Sequence, residues 1–451
     1  MSDPSYKQLD DLVALITSAV DTIKTGYAKH GYTLPTLEDT NKHAIDDALA
    51  DPTIRLAIRT VQGASAQLNT LINPPDVSTT LLSMSHLTSA CMSIAANAQV
   101  ADALVGKPNG LHVSEIAKIT HTDEDKLDRV LRFLVTKHVF REVAPDVYAN
   151  NRLSITLLSQ GNMPALQGFL TDEIYRSGAV LYDVISDPVL GPTTATEAAP
   201  FARAFNTKGS LWQYYETDPE RGKRFDKAMS GFNMIMHYEA IVTDYPWKDL
   251  PEGTVLCDVG SGLGRMSMQV AKAHPHIRVV LQDVPAVLEQ AKTTWEQEAP
   301  ELVAQGRVEY IPLDFLNESP KAGCDVYYLK SIIHDWADDK AKIILNNIQK
   351  VMKPTTRLIL HEYVIQYAAP GADAQRTKAP QPLLPNFGEG GILQYCLDMI
   401  MLVRDHLRSR GPTYKERTLT QFTSLVEGTN LELSHVYDCR DNSAVEFKLK
   451  A

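Results

Sequence analysis

The chain is poor in cysteine, in basic charge and in long apolar runs, and each shortage closes off a class of function. Its 451 residues hold five cysteines, Cys91, Cys257, Cys324, Cys396 and Cys439, odd in number and dispersed. Such a set supplies neither a disulfide framework nor a cysteine-based zinc site. It suits reduced thiols, and the expected location is cytoplasmic. Lys and Arg number 44 against 55 Asp and Glu, a net charge of −11. A chain of that sign has no electrostatic reason to seek nucleic-acid phosphates. No apolar run reaches the roughly 18 residues of a membrane span, so none is expected. The opening Met1-Ser2-Asp3-Pro4-Ser5-Tyr6 lacks the basic and apolar regions of a secretory signal. What remains, 44% hydrophobic and 22% charged residues, is the composition of a soluble globular protein large enough for more than one core.

The most informative stretch is Val255-Leu256-Cys257-Asp258-Val259-Gly260-Ser261-Gly262-Leu263-Gly264-Arg265. An apolar run carrying an acid, three alternating glycines and then an amphipathic pattern describe a buried strand, a tight turn and a helix start. That is the layout of a nucleotide-type site at the carboxyl edge of a parallel sheet. No Lys-Ser or Lys-Thr follows, which leaves a P-loop unsupported. The next strand, Arg278–Asp283, ends in an acid suited to two ribose hydroxyls. Asp283 alone does not separate NAD from S-adenosylmethionine. The G-x-G-x-G spacing and Asp258 favour S-adenosylmethionine over the dinucleotide G-x-G-x-x-G.

Alternation of strands and helices continues from there. Strands are expected near 255–259, 278–283, 307–312, 324–329 and 357–363, with helices near 265–273, 285–297, 338–352 and 418–427. Leu433–Tyr437 and Ala444–Leu449 fit a closing antiparallel hairpin, and the whole reads as an α/β doubly wound sheet in a catalytic domain of residues 251–451. Upstream, residues 1–80 read as a helical extension, with helices over 5–30 and 41–72. Residues 81–165 contain a winged-helix pattern: a helix opening at Val113 with Ser114 as its cap, a second over Thr122–His138, and a hairpin turning at Pro145-Asp146. The second helix carries Asp123, Glu124, Asp125 and Asp128 against Lys126 and Arg129, a density of acid that would repel DNA. Residues 166–250 read as a helical linker and pocket region, rich in aromatic and Met side chains of which most belong to a core. Residues 368–391 lack periodicity and read as a lid or mobile loop.

Three further motifs stand in order along the domain: Asp314-Phe315 after an apolar strand, Ile332-Ile333-His334-Asp335-Trp336-Ala337-Asp338-Asp339 after the fourth strand, and Lys415-Glu416-Arg417-Thr418. Together with the glycine loop they resemble the caffeic-acid-type O-methyltransferases of plants and their fungal small-molecule relatives. The resemblance implies a Rossmann-like S-adenosylmethionine sheet, a mainly helical winged-helix domain used for dimerisation, a homodimer, S-adenosylmethionine as cofactor, and a small aromatic acceptor. It makes His334 the general base, flanked by Glu362 and Glu416. It assigns Gly260, Asp283, Asp314, Phe315 and Lys330 to the cofactor. It assigns Asp398 and Met401 to the acceptor, with Trp212, Met229 and Phe232 drawn from the helical region. The chemistry is coherent, because a phenol with pKa of about 10 needs a base and an imidazole near 6.5 is in part neutral at pH 7. The structural alternatives are a loop-capping His334 with Asp335 or Asp338 capping the next helix, a turn-forming Asp314, and a surface Lys330. No metal is implied, since a helix start explains Asp335, Asp338 and Asp339. Related chemistries stay open: N-methyl transfer, pericyclic catalysis, or a non-catalytic winged-helix regulator. The chain departs from plant members at Val403–Tyr414, longer here and carrying Arg404, Arg408 and Arg410. These could meet an acceptor carboxylate, but a solvated face is the simpler expectation.

Overall fold

The computed structural model describes residues 6–47, 51–193, 198–208, 211–371, 377–404 and 415–450. Those up to Ile235, with Val403 and Arg404, make one compact unit, and those from Met236 to Leu402 and from Lys415 onward make another.

The first unit opens with two paired helices, Lys7–Lys29 and Pro52–Ile72. Gly26 permits their approach, since a Cβ there would stand 2.5 Å from Ile54 Cγ1. The second helix starts later than its expected beginning at 41. Asp51 caps it by accepting from Thr53 N at 2.8 Å, Pro52 takes the first turn, and only a short 3₁₀ turn, Ala44–Asp47, precedes it.

The winged unit follows, with β1 (Leu111–His112), helices Val113–Thr120 and Glu124–Val135, β2 (Arg141–Ala144) and β3 (Val147–Ala149) in sheet order β1-β3-β2. Its first helix is capped by His112, whose Nδ1 accepts from Ser114 N at 3.2 Å, and not by Ser114 as expected. Asp128, one of the acids expected to repel DNA, is buried. It accepts from Tyr148 Oη at 2.7 Å and pairs with Arg132. Further on, a π-helical turn, Leu170–Ile174, presents Asp172 and Glu173 to Arg221 and Arg224 of the helix Pro219–Ile235.

The second unit is built on β4 (Val255–Val259), β5 (Arg278–Asp283), β6 (Val308–Pro312), β7 (Val326–Lys330) and β8 (Arg357–Glu362), with β9 (Val364–Ile365) pairing with β10 (Arg417–Thr418) beside it. The hairpin β11 (Leu431–Cys439) and β12 (Asn442–Leu449) completes a seven-stranded sheet in the order β11-β12-β8-β7-β4-β5-β6. β4 to β8 run parallel, and β12 runs antiparallel to both neighbours. Both faces are covered, which explains the near-continuous apolar strands. Tyr327, Leu329, Leu358 and Leu360 pack under the helices Asp338–Gln349 and Leu419–Leu425. Val326, Tyr328 and Ile359 pack with Met268, Trp295 and Trp247 on the other side. The expected doubly wound fold is therefore what the chain adopts, with the carboxyl ends of β4, β5, β7 and β8 on one edge.

Candidate active site

The turn after β4 holds Gly260, Gly262 and Gly264 at φ of +75°, +54° and +68°. A Cβ on Gly260 would stand 2.6 Å from Ile332 Cδ1, and one on Gly264 2.6 Å from Leu281 Cδ1 and 2.9 Å from Trp295 Nε1. Around a Cβ on Gly262 nothing among the described residues lies within 4 Å. Two glycines thus serve packing, and the middle one faces open space where ligand atoms can approach the backbone. Asp283, at the end of β5, accepts from Gly262 N at 2.8 Å and from Val284 N at 2.7 Å. Asp258 lies beneath the loop and accepts from Ser267 Oγ at 2.5 Å. Burial pushes its carboxyl up to about 7, against the pull of Ser267 and Lys330.

Phe315 stands against the loop, 3.3 Å from the position of a Gly260 Cβ, and meets Trp336 edge-on with ring centroids 5.6 Å apart. Asp314 is exposed and shapes its own turn, accepting from Leu316 N at 3.1 Å and Asn317 Nδ2 at 2.7 Å. Lys330 is no surface charge. Its Nζ sits 4.2 Å from the ring centroid of Tyr238, and burial draws its pKa down against the fields of Asp258, Glu362 and Asp335.

His334 lies in a single 3₁₀ turn, Ile333–Asp335, just beyond β7. Its Nδ1 is 3.0 Å from Glu416 Oε1 and 3.8 Å from Glu362 Oε2, and its Nε2 is 3.5 Å from Asp335 Oδ1. Glu362, at the end of β8, spends Oε1 on the N–H groups of Ile332 (3.0 Å) and Ile333 (2.7 Å), so it shapes the histidine's own loop. Its Oε2, like Glu416 Oε2, is buried without a hydrogen-bond partner among the described residues.

Each residue of Lys415-Glu416-Arg417-Thr418 has a task. Lys415 N donates to His334 O at 3.3 Å, and Glu416 takes the imidazole. Arg417, fully buried, donates to Ile333 O (2.6 Å), Trp336 O (2.7 Å) and Asp338 Oδ1 (2.7 Å). Thr418 closes a capping box with Gln421. Neither Asp335 nor Asp338 caps the helix Asp338–Gln349, whose cap position is Ala337.

These charges correct the sequence-based expectation for His334. Burial alone works against an imidazolium, yet Glu416, Asp335 and Glu362 outweigh it and hold the pKa at about 10. Glu362 moves the other way from an ordinary carboxylate: burial carries it up to about 7, tempered by His334. One ligand atom from each of His334, Glu362 and Glu416 lies within 4.8 Å of the others, a spacing a divalent cation could bridge as well as a proton.

The sequence model of the O-methyltransferase domain matches residues 183–414, and that of the O-methyltransferase dimerisation domain matches residues 80–160. The chain belongs to the O-methyltransferase family. The 3-O-methyltransferase 2 of Phanerochaete chrysosporium is 35% identical over 447 residues, 98% of each chain. Among solved structures, the calicheamicin-biosynthesis methyltransferase CalO1 in its S-adenosylhomocysteine-bound form is 25% identical, with a TM-score of 0.62 over 84% of this chain and all of that one. A pericyclic reaction enzyme shares the fold at 19% identity, with a TM-score of 0.64 over 90% of this chain and 97% of that one.

The cofactor of this methyltransferase is S-adenosylmethionine, and the loop fits it. Gly262 opens onto free space, a carboxylate ends β5, and an aromatic ring stands beside Gly260. On the acceptor side, Asp398 of the helix Ile392–Arg404 accepts from Glu416 N at 3.0 Å, and Met401 is buried on the same helix. Met229 and Phe232 lie on the helix Pro219–Ile235 of the first unit, packed on a cluster of Phe169, Phe201 and Phe225. Trp212 lies on the helix Leu211–Thr217, its side chain outside the described residues. The segments 372–376 and 405–414 also lie outside them, and with them a short part of the expected lid 368–391 and most of the arginine-bearing insertion. Two contributors escaped the sequence reading: Tyr238 over Lys330, and Arg417 as the pin of the His334 loop. Only the second had a signal, its place between Glu416 and Thr418.

Proposed function

We propose that this methyltransferase acts on a hydroxyl of a small aromatic metabolite, with His334 as general base and Glu416 and Glu362 as its positioning residues. The observation that carries this reading is the 3.0 Å contact between His334 Nδ1 and Glu416 Oε1. It fixes the proton on Nδ1 and leaves Nε2 as the atom that receives one. When bound, S-adenosylmethionine supplies a methyl on a sulfonium, whose positive charge opposes a second cation in the same site. That opposition matters here, because an imidazole held near 10 is largely protonated at neutral pH. The acceptor O–H bond breaks, its proton goes to Nε2, and the buried carboxylates stabilise the imidazolium that results. Gly260, Asp283, Asp314, Phe315 and Lys330 serve cofactor binding in this reading. Trp212, Met229, Phe232, Asp398 and Met401 serve the acceptor.

Methyl transfer from labelled cofactor to a panel of phenols, hydroxybenzoic acids and catechols tests the proposal. His334→Ala is expected to lose roughly 10²- to 10⁴-fold in kcat while still binding S-adenosylhomocysteine. Unchanged turnover in that variant would remove the base assignment, and an unmethylated product of altered skeleton would point to pericyclic chemistry. We further propose a homodimer formed through the dimerisation domain, where Leu81, Leu82, Met84 and Leu87 stand exposed.

A further inference from the structure

The helix Ile392–Arg404 buries one face and exposes the other: Gln394, Leu397 and Met401 are inside, while Ile392, Met399 and Leu402 are in solvent. Gln394 is the exception on the inner face. It is 4% exposed, and its Oε1 has no hydrogen-bond partner among the described residues. A buried amide oxygen left unbonded is costly, and one in a folded protein calls for a partner. Helix geometry sets its neighbours along that face. Asp398 lies one turn along the same face, within about 6 Å between Cβ atoms. Asp398 accepts from Glu416 N at 3.0 Å, and Glu416 holds His334. Met401, one turn further, gives that face an apolar wall beside the polar group.

We propose that Gln394 is a specificity-determining residue whose Oε1 accepts a hydrogen bond from a second hydroxyl of the acceptor. The substrate class is then a polyhydroxylated aromatic, methylated at one oxygen and recognised through another. The inference rests on the aromatic-hydroxyl reading above and adds what selects among such acceptors. A site built to bond a hydroxyl discriminates strongly against the analogue lacking it, because the buried group is then left unpaired.

The test is acceptor binding by calorimetry to protein saturated with S-adenosylhomocysteine, which needs no turnover. Pairs of phenols differing by one added hydroxyl are compared with wild type, Gln394→Leu and Gln394→Glu. Wild type is expected to favour the dihydroxylated member by roughly 100-fold or more. Gln394→Leu should bring that preference to within a few-fold, and Gln394→Glu, which keeps an accepting oxygen, should retain it. Undisturbed affinity for S-adenosylhomocysteine and an unchanged melting temperature establish that the variants are folded. Absence of the preference in wild type, or its survival in Gln394→Leu, overturns the proposal. Turnover by wild type on the same pairs is scored separately: binding preference without methyl transfer would fault the reaction assignment and leave the role of Gln394 standing.

Discussion

At the scale of single residues, the site is governed by a surplus of buried negative charge. Two carboxylates within 4 Å of one imidazole nitrogen, and a third beside the other, raise His334 to about 10. A base so held needs alkaline conditions to be free in the resting protein, so kcat/KM should climb as pH rises from neutral toward about 10. Glu416→Gln removes the nearest charge and keeps an accepting oxygen. The imidazole pKa then falls, so the acid limb of the kcat/KM–pH profile should move to lower pH. The plateau should drop by roughly 10²-fold as the charge that stabilises the imidazolium is lost. A limb that stays in place would show that His334 is not the group being titrated. The sequence made these three residues legible, because each belongs to a motif at a strand end. It could not reveal their protonation, which depends on burial and on neighbours 28 to 82 positions away in the chain. Tyr238 was hidden for the same reason: nothing local ties it to Lys330, 4.2 Å from its ring.

At the scale of elements, the glycine loop separates two jobs that look identical in sequence. Gly264→Ala would push a methyl into Leu281 and Trp295 at a positive φ, an overpacking that costs about 1–3 kcal/mol beyond the backbone strain. Its melting temperature should fall by several degrees. Gly262→Ala meets open space and pays only for its φ of +54°. It should melt close to wild type and yet bind S-adenosylhomocysteine more weakly. Calorimetry and thermal melts on both variants check the pair, and equal cofactor affinity in Gly262→Ala would discount the cradle. The strands β4 to β8 were readable because buried parallel strands are short apolar runs with sharp ends. Their observed bounds differ from expectation by at most two residues. β1, β9 and β10 are two residues long and have no periodicity to read. The late helix start at Pro52 was missed although Asp51-Pro52 is a start signal, because helix-compatible residues also precede it.

At the scale of the whole molecule, the exposed leucines of the dimerisation domain carry the clearest expectation. Leu81 and Leu82 are 62% and 72% exposed in the single chain, and a pair of such side chains is out of place in water. Leu81→Asp with Leu82→Asp should turn a dimer into a monomer in sedimentation equilibrium without unfolding the second unit. A dimer that persists would place the interface elsewhere.

The position of β8 also bears on synthesis. This strand carries Glu362 and lies between β7 and β12, and β12 leaves the ribosome after every strand of the parallel part of the sheet. Its neighbour His361 is tied at 2.5 Å to Asn442, and His334 is tied to Glu416 from 82 positions away. The glycine loop and its flanking strands are complete in the nascent chain long before these partners emerge. A half-made polypeptide can therefore present most of a cofactor cradle before the proposed base, His334, has met Glu416. Cofactor binding is expected to precede methyl transfer as the chain lengthens, and removing the hairpin Leu431–Leu449 is expected to abolish turnover although every proposed catalytic side chain remains.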